Sequence, residues 1–280
     1  MAEDNVYCID PESAAEMARL TDQDHIVTKY MGGLFSEFDD LSSIRRVLDV
    51  ACGPGGWVQE VAFAYPEMEV VGFDISETMI KYANTQAAVQ GLDNASFHVM
   101  DLQKSLDFAD HTFDFVNSRF ITFLPSAVWS HLMQEIGRIT RPGGYVRLTE
   151  TEWWCMNTSP ALEELNNMVV RSVKMGGGFS ATGRMLGVVP RLGQLLKEAG
   201  CTTIEQKPYL IDHSYGTEAY EAFRQDTKVF FKLVQPQMVA FGLATNEEFD
   251  ALYEQMLVEM MQSTFRSVML FVAAWGKTGD

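Results

Sequence analysis

A chain of 280 residues with 47% hydrophobic side chains is long enough for one large α/β domain with added helices. Asp and Glu number 38 against 21 Lys and Arg, a net charge of −17 with no basic run, which argues against nucleic acid and anionic membranes as partners. No apolar run is long and charge-free enough for a membrane span, the acidic start lacks the pattern of a secretory leader, and the five histidines form no metal-spaced cluster. The four scattered cysteines, Cys8, Cys52, Cys155 and Cys201, read as reduced thiols of a cytoplasmic protein.

The elements follow in chain order. Met17, Leu20, Val27 and Met31 fall on helical spacing within residues 11–33, and Gly32-Gly33 ends that helix. Val47-Leu-Asp-Val is an apolar strand, followed by a turn with Gly53, Gly55 and Gly56 and a helix from Trp57 to Ala64. Strand, glycine turn and helix start make a small-molecule cradle. A dinucleotide fingerprint would need a third glycine where Val58 stands, and Asp49 at the strand end suits a cationic amine better than a pyrophosphate. Val70-Val-Gly-Phe-Asp74 is a second strand ending in an acid, and Ser76 with Glu77 caps the next helix. Ser96 to Asp101 is a third strand, Phe113 to Phe120 a fourth, and Pro142-Gly143-Gly144 turns into a fifth that reaches Glu150. The segment Thr149 to Met156 then leaves the end of the sheet where open α/β folds bind ligands. Its Glu152, Trp153 and Trp154, with Tyr30 of the first helix, are the candidate substrate-binding residues, and the tryptophans suit an apolar or aromatic substrate. Beyond it come a helix from Pro160, a Gly176-Gly-Gly loop, a helix from Leu192 to the glycine before Cys201, and a strand from Thr203 to Asp212 whose Pro208 predicts an edge or irregularity. Residues 217–262 form two or three helices with a Phe and Met stripe, which reads as core or as the surface of a homo-oligomer. Arg266 to Gly276 is the last strand.

Five of these segments, between residues 44 and 152, resemble in order the motifs of class I S-adenosylmethionine-dependent methyltransferases. They are Asp49 with Ala51-x-Gly53-x-Gly55; Asp74-Ile-Ser-Glu-Thr-Met79; the strand ending at Asp101-Leu102; the strand ending at Asn117-Ser118-Arg119; and the Arg-Pro-Gly-Gly turn. The resemblance implies a Rossmann-like, seven-stranded, mostly parallel sheet with helices on both faces and a helical lid. Its implied organisation is an N-terminal helical cap (1–40), a cofactor-binding core (41–156), a lid insertion (157–190), more core (191–216), a helical lid (217–264) and a final core strand and tail (265–280). It implies S-adenosylmethionine as cofactor and S-adenosylhomocysteine as product. The cofactor residues it implies are Asp49, Ala51, Gly53 and Gly55 in the loop, Asp74 on the ribose, Ile75 and Met79 beside the adenine, Asp101 and Leu102 at its amino group, and Asn117, Ser118 and Arg119 near the sulfur and carboxylate. Gln23 and Met31 complete the set if the first helix covers the cofactor.

The expected activity is methyl transfer to O, N or C of a small apolar or aromatic metabolite. A sulfonium methyl is already activated, so alignment and desolvation suffice unless the acceptor must lose a proton. Glu150, Glu152, His25 and His213 are candidates for such a base, in no order. Two other readings stay open on sequence: an NAD(P)-dependent oxidoreductase, and a methyltransferase fold that binds or rearranges its ligand without methylating it.

Overall fold

The computed structural model describes Ile9, residues 13–152 and residues 155–279. Cys8, Trp153 and Trp154 lie outside the described residues.

Eight strands form one sheet: β1 (Arg46–Val50), β2 (Glu69–Asp74), β3 (Ala95–Val99), β4 (Phe113–Arg119), β5 (Thr140–Thr151), β6 (Met156–Asn157), β7 (Cys201–Asp212) and β8 (Ser267–Thr278). Their order is β3-β2-β1-β4-β5-β8, with β7 along the far side of β8 and β6 also on β8. The first five strands are parallel, and β8 runs antiparallel to its neighbours. The expected count of seven is therefore corrected to eight. The extra strand is two residues long and continues the line of β5: Thr151 pairs with Phe271 and Met156 with Val268, while β7 occupies the other side of both β8 positions. Pro208 sits within β7, which pairs only with β8, so its missing N–H faces an open edge.

The helices are α1 (Ala14–Met31), α2 (Gly56–Ala64), α3 (Glu77–Gln90), α4 (Ser126–Ile139), α5 (Pro160–Met175), α6 (Leu192–Glu198), α7 (Tyr220–Ala240) and α8 (Asn246–Met260). Local chemistry sets their ends. Ser13 and Ser76 accept from the amides of Glu16 and Met79 as N-caps, Gly32 closes α1 in the left-handed region, and Thr245 with Glu248 forms a capping box on α8. The inner strands are nearly continuous apolar runs because helices cover both faces. Trp129, Leu132, Met133 and Ile136 of α4 pack on one face with α6; Trp57, Val58 and Val61 of α2 and Ile80 and Ala83 of α3 pack on the other.

A separate core joins α5, α7 and α8. It holds Leu162, Phe223, Phe230, Phe231, Met238, Met256 and Met260, so this part of the Phe and Met stripe is interior. Helix α1 lies between this core and the sheet, with Val27 and Met31 packed against Ile211 and Phe271. From β1 the chain winds through β2 to β3, then returns to β4 and β5 on the other side, leaving a crevice at the ends of β1 and β4.

Candidate active site

The crevice is a cleft of about 1180 Å³, part of it open to solvent. Two non-glycine residues beside it adopt left-handed backbone, Ala51 (φ 55°) after β1 and Phe120 (φ 56°) after β4. Such strain is uncommon and gathers at functional sites. Between β1 and α2 the turn needs glycine twice. A Cβ on Gly55 (φ +79°) would collide with the Phe97 ring, whereas Gly53 (φ +53°) faces the cleft opposite Leu20 and Met79.

Asp74 sits at the centre of the floor. Its Oδ2 accepts from the Gly53 amide at 3.0 Å and its Oδ1 from the Ser76 amide at 3.0 Å, so one carboxylate ties the glycine turn to the start of α3. Asp101 accepts from the Gln103 amide at 2.9 Å and meets exposed Lys104 at 3.2 Å. Ile75, Met79 and Leu102 make an apolar slot between the two acids. At the other end Arg119 donates to Asp24 at 2.6 Å and to Thr28 Oγ1 at 3.0 Å, fastening α1 across the strand ends. Gln23 lines this end as well. Burial raises the Asp24 carboxyl, and Arg119 opposes that shift.

Ala51, Gly53, Asp74, Ile75, Met79, Asp101, Leu102, Arg119 and Gln23 therefore share one cleft. The remaining candidates lie elsewhere. Gly55 faces Phe97. Asp49 is buried beneath the turn and accepts from Asn117 Nδ2 at 2.7 Å; Asn117 Oδ1 in turn accepts from Arg147 Nε at 2.8 Å. Ser118 is buried and donates to the Val50 carbonyl. Burial pushes the Asp49 carboxyl up to about 7 against the pull of Arg119. Met31 and Tyr30 pack with the Tyr209 and Phe271 group, off the cleft wall. Both Glu152 oxygens accept backbone amides, from Gly187 and Val189 at 2.6 Å, and so pin the 187–189 loop to the end of β5.

Several cleft residues carried no local signal: Arg19, Leu20 and Asp24 of α1, Gln103, Phe120 and Ile121, and Phe230 of α7. The polar chain through Asn117 and Arg147 also went unread, because an arginine in a strand ordinarily faces solvent.

The donor set decides the class of ligand. The floor offers strand-end carboxylates and an apolar slot, and both cleft arginines are held by acids, Arg119 by Asp24 and Arg19 by Glu16 and Asp226. A phosphate-bearing cofactor would meet repulsion here. A ligand with hydroxyls, a flat ring and an ammonium group fits.

Comparison with known proteins agrees. Residues 47–144 match the family model described as a methyltransferase domain. The demethylmenaquinone methyltransferase of Geobacillus kaustophilus is 28% identical over 177 residues, covering 59% of this chain and 74% of that protein. That of Halalkalibacterium halodurans is 31% identical over 179 residues, covering 59% of this chain and 71% of that protein. The chain belongs to the class I S-adenosylmethionine-dependent methyltransferases. The fold of this methyltransferase resembles that of the YcgJ protein from Bacillus subtilis (TM-score 0.57, 16% identity, 90% of this chain and 99% of that one). It also resembles Haemonchus contortus phosphoethanolamine N-methyltransferase 2 in complex with S-adenosyl-L-methionine (TM-score 0.52, 18% identity, 92% of this chain and 57% of that one).

None of the four candidate bases lines the methyltransferase's cleft. His25 is exposed beside Glu60, and His213 is buried against Phe223. Glu150 is fully buried; its Oε1 accepts from the Ile121 amide at 2.9 Å, and the Thr122 amide is directed at the same carboxyl. Burial pushes this carboxyl up to about 8, so it is protonated at neutral pH and props the 121–124 loop. Its contribution to stability is complete below the ordinary value of 4.5 and is lost as pH rises through about 8. Between pH 6 and 8 the wild type should lose on the order of 2 kcal/mol through this group, since the slope of about 1.4 kcal/mol per unit falls off as the carboxyl ionises near 8. Glu150→Gln should remove that loss, and urea unfolding of both proteins across this range checks it. Parallel pH profiles would contradict a raised Glu150.

Proposed function

We propose that this methyltransferase transfers a methyl group to a small aromatic acceptor bearing a ring hydroxyl, at ring carbon or oxygen. One observation carries the reading. The cleft continues past Arg119 into a wall of Phe120, Ile121, Phe123, Leu124 and Phe230 that includes no carboxylate. Two supports are added: the relatives' names carry a quinone acceptor, and the sequence alone already favoured an apolar or aromatic metabolite.

The bound cofactor supplies a methyl group already activated on a sulfonium. The chain's own residues hold, orient and desolvate. Asp74, fixed by the Gly53 and Ser76 amides, would take the ribose hydroxyls. Ile75, Met79 and Leu102 would enclose the adenine, and Asp101 would accept from its amino group. Ala51, Gly53, Gln23 and Asp24 would receive the amino-acid end, with Arg119 near its carboxylate and Asp49 acting from beneath through the turn. Helices α5, α7 and α8 act as a lid that excludes water, which shortens the approach of acceptor to methyl. No titratable side chain except Arg19 stands among the described residues of the apolar wall. The acceptor would therefore bring its own acidity: its ring hydroxyl, partly ionised, would supply the electron pair that takes the methyl group, and its proton would pass to solvent. Buried free thiols at Cys52, Cys155 and Cys201 accord with a cytoplasmic enzyme.

The test uses methyl-labelled cofactor with naphthohydroquinone, para-cresol, phosphoethanolamine and glycine as acceptors. Label should enter the first two. Label confined to the amines, or entering none of the four, would overturn the reading.

A further inference from the structure

A second concavity adjoins the active cleft. It is a groove of about 830 Å³, part of it open to solvent, between α1 and α7, with β7 and β8 as its floor. Ala18, Val27, Ile211, Phe223, Val229 and Met269 give it an apolar lining. Arg19 and Gln23 belong to the walls of both spaces, so the groove begins where the cleft ends. Arg19 forms the partition. Its guanidinium bonds Glu16 at 2.7 Å and Asp226 at 2.9 Å and lies 5.4 Å from the Phe230 ring centre, on the apolar wall of the cleft.

The groove's chemistry selects its occupant. Apart from Arg19, already held by two acids, no cation lines it among the described residues, and Asp22 and Asp226 stand in its walls. A carboxylate or phosphate is repelled. His213 is 4% exposed, stacks on Phe223 with ring centres 4.1 Å apart, and has no hydrogen-bond partner at Nδ1 among the described residues. Burial holds it neutral, pulling its pKa to about 4. An uncharged apolar group suits such a lining, and each methylene moved there from water contributes about 0.8 kcal/mol.

We propose that the groove between α1 and α7 is a subsite for an uncharged alkyl or aryl extension of the acceptor, remote from the methylated atom. The extension leaves the cleft past Arg19 and Gln23 and lies along Val27, Phe223 and Met269. The proposal rests on the aromatic-acceptor reading above, and it adds that affinity grows with the length of an apolar substituent.

Calorimetry in saturating S-adenosylhomocysteine, with para-cresol and para-hexylphenol as probes, tests it. Wild type should bind para-hexylphenol at least about tenfold more tightly than para-cresol. Ala222→Trp and, separately, Ala18→Trp fill the groove without touching the cleft wall. Both should remove the tenfold gain while leaving para-cresol, S-adenosylhomocysteine and the thermal unfolding midpoint unchanged. If both phenols bind wild type equally, or if the gain survives both folded variants, the groove proposal is overturned and the acceptor reading stands. If neither phenol binds wild type, the acceptor reading falls and takes the groove with it.

Discussion

Asp74→Ala is expected to weaken binding of S-adenosylhomocysteine by a hundredfold or more. The carboxylate joins two backbone amides, those of Gly53 and Ser76, and lines the cleft where two ribose hydroxyls would bond to it. Hydrogen bonds to a charged group contribute about 1.5–3 kcal/mol each, and about 1.4 kcal/mol is a factor of ten. Losing two gives the expected hundredfold. Asp74→Asn, which keeps one acceptor oxygen, should fall between wild type and alanine. Calorimetry on the three proteins measures this, with thermal unfolding alongside to separate lost contacts from a loosened turn. An alanine variant within about threefold of wild type would remove Asp74 from the cofactor site.

Arg147→Ala is expected to destabilise the fold by about 3–5 kcal/mol, as removal of one member of a buried ion pair does. Arg147 is 1% exposed. It donates to Glu37 and to the Leu34 carbonyl at 2.9 Å and to Asn117 at 2.8 Å, with the rings of Trp57 and Phe115 within 5.5 Å of its guanidinium. Its loss leaves the Glu37 carboxylate, whose side chain is fully buried, without a counter-charge and with only the Tyr209 hydroxyl bonded to it among the described residues, and frees Asn117, which holds Asp49 under the glycine turn. Arg147→Lys should rescue little, because an ammonium cannot reproduce the planar fork that reaches Glu37, Leu34 and Asn117 together. Denaturant midpoints of the three proteins provide the measurement. A loss below about 1 kcal/mol would mean that the network relaxes around the gap.

Legibility divided along contact range. The floor of the cleft could be read because each acid ends its own strand and each βα unit repeats the same local geometry. Asp74 meets Gly53 one unit back and Ser76 two residues on. The cap at Ser76, the glycine turn and the edge proline followed from backbone chemistry within a few residues. Within that frame, side-chain direction was harder. Alternation along β1 and β4 turned Asp49 and Asn117 toward each other beneath the turn, and no feature of a single strand announces that pairing.

The walls had no such local rule. Arg19 meets Asp226 across 207 positions, and Arg119 meets Asp24 across 95. In α1 the prediction named Gln23, Tyr30 and Met31; only Gln23 lines the cleft, because the helix crosses the strand ends at one place and by Met31 has passed onto the β7–β8 half of the sheet. The two-residue β6 likewise exists only because β8 extends past the end of β5 and offers unpaired backbone there.

By itself, then, the sequence determined the family, the cofactor and the floor of the cleft, because strand-end acids and glycine turns write their geometry within one βα unit. Tertiary structure alone decided what forms the walls of the cleft. That surface is assembled from α1, the 120–124 loop and α7, which come together only when the apolar faces of distant helices are buried against one another.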